Sequence, residues 1–175
     1  FSLILSILGV LYFFLALTMI LPLAISFIYG DGCSLAFIYS IIATAIAGGI
    51  LYWVFPPQKK ELTHRDGFTI VTLGWATIAL FGSLPFLFSE TIPSFTNAYF
   101  ETMSGFTTTG ATICQAIEQL PKSILFWRSL IQWLGGMGII LFSIAILPLL
   151  GVGGMELYKA ERSEEHTSEL QSPRN

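Results

Sequence analysis

The stretch Ser104-Gly-Phe-Thr-Thr-Thr-Gly-Ala-Thr-Ile113 sets three consecutive threonines, a glycine and a fourth threonine side by side. Thr107, Thr108 and Thr109 offer carbonyl and hydroxyl oxygens. Gly110 can take a positive φ, which would turn successive carbonyls toward one axis, and Ala111 and Thr112 prolong the run. Oxygens ranked in this way can replace the hydration shell of a monovalent cation. Upstream, Ser94 can cap a short helix and Gly105 can end it. The C-terminal dipole of that helix would then carry about half a negative charge toward the loop. Glu101 and Ser104 lie on the helix. Glu101 can attract cations at a vestibule or, more simply, accept hydrogen bonds from backbone and hold the loop. The same residues also fit a threonine-rich extracellular loop with a flexible glycine, and their chemistry alone does not choose between the two.

The surrounding sequence sets where such a loop would sit. The 175-residue chain is 54% hydrophobic and 11% charged, with mean hydropathy +0.74, whereas a soluble domain carries roughly 25% charged residues. Residues 1–30, 33–58, 67–89 and 129–155 contain no Asp, Glu, Lys or Arg, and each run exceeds the roughly 20 residues that cross a hydrocarbon core. The expected architecture is therefore an all-α membrane protein. Two N-terminal transmembrane helices, 3–29 and 35–55, are followed by one helix–pore loop–helix repeat with spans at 67–88 and 124–150. Pro22 is expected to kink the first span, and Pro56-Pro57 to end the second. Gly48-Gly49 offers a smooth face for close helix approach. The parts are 1–57, a two-helix hairpin; 58–66, a cytoplasmic loop; 67–161, the repeat; and 162–175, a tail expected to be non-native, because it resembles translated adapter sequence. The first run has neither the basic flank nor the cleavage site of a signal peptide. Because it opens at Phe1 in mid-run, further residues are expected before it.

Lys59, Lys60 and Arg65 place the loop after the second span, and with it the N-terminus, in the cytoplasm. Counting basic residues does not decide whether 94–117 crosses the membrane, but polarity does. That segment holds nine Ser, Thr or Asn residues together with Glu101 and Gln115. A carboxylate at the centre of a lipid-facing span costs on the order of 3 kcal/mol. A re-entrant helix and loop is the better reading. Arg128 is expected to snorkel to the outer interface. Gly135-Gly136-x-Gly138 reads as helix packing rather than a nucleotide motif, since no strand precedes it. His64 reads as solvated, Trp53, Trp127 and Trp133 as interface or packing aromatics, and Cys33 and Cys114 as unpaired.

The segment from Phe100 to Ile113, Phe-Glu-Thr-Met-Ser-Gly-Phe-Thr-Thr-Thr-Gly-Ala-Thr-Ile, resembles the first pore loop of the Trk/Ktr/HKT potassium transporters. The helix beginning Phe126-Trp-Arg-Ser-Leu-Ile-Gln-Trp-Leu-Gly-Gly-Met-Gly138, the Arg65-Asp-Gly-Phe68 motif and the run from Leu147 to Glu161 resemble the same family in order and spacing. Two helices ahead of the pore unit resemble its TrkH-type branch. The family surrounds one pore with four helix–pore–helix repeats, of which this chain holds the first, so it is not expected to close a pore alone.

The resemblance implies potassium transport rather than catalysis. Thr107, Thr108, Thr109, Gly110, Ala111 and Thr112 would form the filter, with K⁺ at Thr108, Thr109 and Gly110. Glu101, Ser104 and Gly105 would be the supporting residues. The loop has one filter glycine where the TVGYG loop of potassium channels has two. The resemblance also implies a homodimer in a bacterial inner membrane with a cytosolic, nucleotide-binding TrkA-type regulator. Neither a cofactor nor a nucleic-acid partner is expected. The channel-like subunit of a potassium-pumping ATPase is a near alternative. An intramembrane enzyme is disfavoured because no expected span contains Asp, Glu or His, and a passive anchor would leave the loop without purpose.

Overall fold

The computed structural model describes residues 2–56 and 64–146, and among these it is all-helical. The expected tail, the last part of the repeat and most of the loop at 58–66 lie outside the described residues. Residues through Met137 form one compact unit; of the second, 138–175, the described part is the helical 138–146.

The first apolar run is two helices, α1 (Ser2–Thr18) and α2 (Ile20–Tyr29), interrupted at Met19. The break falls one turn before Pro22, because a proline has no N–H for the carbonyl four residues back and its ring crowds that carbonyl. That carbonyl belongs to Thr18, whose own hydroxyl donates to Leu15 O at 2.7 Å. Gly30 and Gly32, at φ 61° and 79°, make the tight turn after α2. α3 (Ser34–Val54) stops just before Pro56. α1 lies against α3 where Gly9 meets Gly48: a Cβ on either would fall 2.9 Å from the other's carbonyl oxygen. Small residues let the backbones touch. Gly49 does not share that contact, its nearest neighbour being Phe13 Cζ at 3.7 Å.

α4 (His64–Gly82) begins three residues earlier than the composition suggested, and Asp66 lies in its first turn. It breaks at Ser83 and resumes as α5 (Leu84–Phe88), with Pro85 in the first turn. α6 (Phe95–Phe106) is succeeded by irregular chain, a 3₁₀ turn at Ile117–Gln119, and α7 (Lys122–Ile146). Among the described residues, Ser2–Tyr29, Ser34–Val54 and Arg65–Phe88 are long and apolar enough to span a membrane. One core joins the N-terminal hairpin to the pore unit: Leu15, Met19 and Phe37 pack with Phe86, Phe106 and Trp127. Large side chains such as Phe14, Leu17, Phe27, Ile28 and Trp53 stay exposed on the spans, as a lipid solvent permits.

Candidate ion-coordinating loop

α6 has 12 residues and so is about 18 Å long, too short for a hydrocarbon core of about 30 Å. Ser94 stands at its N-cap position in extended geometry, but contrary to expectation its hydroxyl makes no cap bond; its carbonyl accepts from Ala98 N at 2.9 Å. The buried face of α6 carries Ala98, Thr102 and Phe106. A Cβ on Gly82 of α4 would lie 3.0 Å from both Thr102 Cγ2 and Phe106 Cε2, so that glycine admits the short helix.

Gly105 does not end the helix. It is needed for packing, since a Cβ there would lie 2.7 Å from Ile131 Cδ1 of α7. The helix ends one residue later by a double wrap of main-chain bonds. Thr108 N donates to Gly105 O at 3.0 Å and Thr109 N to Ser104 O at 3.1 Å. This closure needs a left-handed residue one past the C-cap, usually glycine. Here Thr108 takes it, at φ 55°. A β-branched residue in that region is strained. Gly110 also has positive φ, 78°.

The chain then returns along the helix it has left. Ser104 Oγ donates to Ala111 O at 2.6 Å, and Glu101 Oε2 accepts from Ile113 N at 3.0 Å. Thr112 Oγ1 donates to Glu101 at 2.9 Å and accepts from Cys114 N at 3.1 Å. Residues 109, 111 and 113 thus pair with 104, 104 and 101, so that the chain doubles back along α6. Glu101 is buried, at 3% side-chain exposure, and Arg128 Nε and Nη2 both donate to its Oε1, the first at 2.9 Å. Arg128 Nη2 also donates to Thr112 Oγ1 at 3.1 Å. Arg128 therefore does not snorkel outward. A buried carboxylate without a partner is far costlier than a side chain drawn inward. A cavity of about 260 Å³ lies beside the pair, lined by Ser104, Thr112, Ser129 and Gln132 among others.

The six residues from Thr107 to Thr112 are all exposed, but their oxygens divide into two sets. The Ala111 carbonyl and the Thr112 hydroxyl point back into the support. The Thr107 hydroxyl bonds Met103 O and the Thr109 hydroxyl, each at 2.8 Å. Among the described residues, only the Ala111 carbonyl of these six accepts a hydrogen bond; those of Thr107, Thr108, Thr109, Gly110 and Thr112 accept none.

α7 holds this arrangement from behind. A Cβ on Gly135 would overlap the Phe106 carbonyl, and Gly136 lies beside Thr108 Cγ2. Those glycines pack helices, as their spacing suggested. Trp127 is wholly buried, and its indole N–H donates to Gly82 O at 3.0 Å, where the α4 ladder breaks. Trp53 and Trp133 are exposed. Cys33 and Cys114 are both free.

Asp31, in the turn between α2 and α3, is a residue that motif and spacing did not single out. Its carboxylate accepts from Ser26 Oγ at 2.6 Å, Cys33 N at 3.2 Å and, 92 residues away, Ser123 N at 2.8 Å. Burial raises its carboxyl, but the bonds from Ser123, Ser26 and Cys33 outweigh that and hold it below the ordinary range. The available signal was a single charge in an otherwise charge-free region, beside a helix start at Lys122 preceded only by proline.

The sequence model of the TrkH family, described as a cation transport protein, matches residues 33–174. The chain belongs to the TrkH family. The Trk system potassium uptake protein TrkH of Salmonella typhimurium is 48% identical over 156 residues, covering 89% of this chain and 32% of that protein. TrkI of Halomonas elongata is 43% identical over 164 residues, 92% of this chain and 33% of that protein. The crystal structure of the potassium transporter TrkH from Vibrio parahaemolyticus superposes with a TM-score of 0.82 at 40% identity, covering 96% of this chain and 36% of that one. The chain thus spans about a third of the length of these TrkH relatives. Three membrane-capable helices and these TrkH relatives make it a multi-pass membrane protein.

Proposed function

We propose that this chain supplies the first of four pore loops of a Trk-type potassium uptake protein. Potassium is held by the main-chain oxygens of Thr108, Thr109 and Gly110, with Thr107, Ala111 and Thr112 shaping the strand around them. The observation that supports this is the exposed run of carbonyls from Thr107 to Gly110, none of which accepts a hydrogen bond from the described residues, at the end of a short helix and on a strand anchored at both ends. Carbonyl dipoles presented without protein donors are what a partly dehydrated cation needs. One such strand provides one side of a coordination shell, so three further repeats complete it. The protein lies in a bacterial inner membrane with its N-terminus cytoplasmic. It works as a homodimer with a cytosolic, nucleotide-binding TrkA-type regulator. The names of the relatives, all potassium uptake proteins of the Trk system, support this reading.

The test is Gly110→Ser in the full-length protein. At φ 78° a side chain is strained, by on the order of 1 kcal/mol, and nothing within 4 Å blocks it from projecting outward. The expected result is a lower preference for K⁺ over Na⁺ in ion competition, with the protein still in the membrane. Wild-type preference and flux would mean that Gly110 does not belong to the filter.

A further inference from the structure

We propose that Asp31, outside the helix–loop–helix unit, is a positioning residue for the ion-coordinating loop, acting through α7. The inference rests on the potassium reading above and names a determinant of the same site. α7 begins without a cap of its own. Pro121 stands at its N-cap position, its carbonyl accepting from Leu125 N at 3.0 Å, and a proline side chain can accept nothing. The first N–H groups of a helix have no intrahelical partner and carry partial positive charge. Asp31 Oδ2 takes the Ser123 N–H at 2.8 Å, at the second helical position, where a capping oxygen ordinarily binds. Oδ1 is meanwhile fixed by Ser26 Oγ and Cys33 N. The carboxylate is thus rigidly part of the α2–α3 turn while it caps a helix of the pore unit.

The consequence lies in what α7 carries. Arg128 lies five residues beyond Ser123, about 7.5 Å along the helix, and its guanidinium holds Glu101, which holds Thr112 and Ile113. Gly135 stands against the Phe106 carbonyl at the foot of the loop. Hydrogen bonds tolerate only a few tenths of an ångström before weakening. A shift of the α7 start is therefore transmitted to the strand that bears the Thr108, Thr109 and Gly110 carbonyls. The N-terminal hairpin sets this register.

The experiment measures Rb⁺ uptake, as KM and Vmax, and Na⁺ competition in membranes containing the full-length protein, normalised to the amount present. Asp31→Asn is nearly isosteric but removes the charge. It should raise KM for Rb⁺ by up to about five-fold, the worth of one charged cap, and lower the Rb⁺/Na⁺ ratio. Asp31→Glu keeps the charge one methylene out of place and should fall between wild type and Asp31→Asn. In the double variant Asp31→Asn/Arg128→Lys, the KM should be no higher than in Arg128→Lys alone, because one path carries both effects. Wild-type KM and ion ratio in Asp31→Asn, or effects that multiply in the double variant, would overturn the proposal. Should Asp31→Asn not accumulate, Asp31→Glu decides on the same terms. Absence of Rb⁺ uptake by the wild type itself would instead count against the potassium reading.

Discussion

Removing Arg128 should harm this protein more than removing Arg128 and the charge of Glu101 together. Glu101 is 3% exposed and accepts from Thr112 Oγ1, Ile113 N and two nitrogens of Arg128. Arg128→Met keeps most of the aliphatic stem and leaves the carboxylate with two neutral donors. Breaking a buried pair from one side costs 3–5 kcal/mol, and because Arg128 is 19% exposed the lower end, about 3 kcal/mol, applies. Glu101→Gln alone leaves a guanidinium that can turn toward water, at about 1.5 kcal/mol, the worth of a charge-assisted bond. With both changes no buried charge remains, and the cost should be about 1–2 kcal/mol rather than the 4.5 kcal/mol or so that simple addition would give. The assay is the apparent melting temperature of the detergent-solubilised full-length protein, with Rb⁺ flux measured in parallel. The expected order of stability is wild type, then Glu101→Gln and the double variant close together, then Arg128→Met. If the two effects add, or if Arg128→Met melts with the wild type, the pair does not hold the loop and the reasoning fails.

The geometry sets three further outcomes. Thr108→Gly should stabilise the helix end by up to about 1 kcal/mol, since glycine takes the left-handed position freely; an unchanged or lower melting temperature would show that φ 55° at this residue is not strained. Gly48→Ser should destabilise the N-terminal hairpin, its Cβ meeting Gly9 O at 2.9 Å, whereas Gly49→Ser should leave melting and ion selectivity unchanged because only Phe13 Cζ, at 3.7 Å, is near; equal effects would contradict the Gly9–Gly48 crossing. Single cysteines at Glu90 and at Lys122, in a background lacking Cys33 and Cys114, should both react with an impermeant thiol reagent added from outside, and reaction from opposite faces would contradict a re-entrant α6.

Much of this protein was legible in the order of its residues because the determinants are local. Apolar length marks the spans. Pro22 and Pro56-Pro57 mark where a helix breaks or stops, and the left-handed Gly110 needs nothing beyond its own lack of a Cβ. The polarity of 94–117 similarly excludes a lipid-facing span without reference to any partner.

What the sequence could not decide depends on groups far apart along the chain. Gly105 has the character of a helix terminator, yet the side chain of Ile131 claims it and the turn passes to Thr108. Ser94 has the right chemistry for a cap and makes no such bond, while Asp31 caps a helix 92 residues away. Arg128 alone would minimise its free energy at the interface; beside a buried carboxylate it turns inward. In each case the local preference is worth about 1 kcal/mol, and tertiary contacts worth as much or more override it. Composition and spacing therefore determined that a polar, oxygen-rich strand sits among membrane helices, and only packing decided that its Ala111 carbonyl and Thr112 hydroxyl turn back into the support.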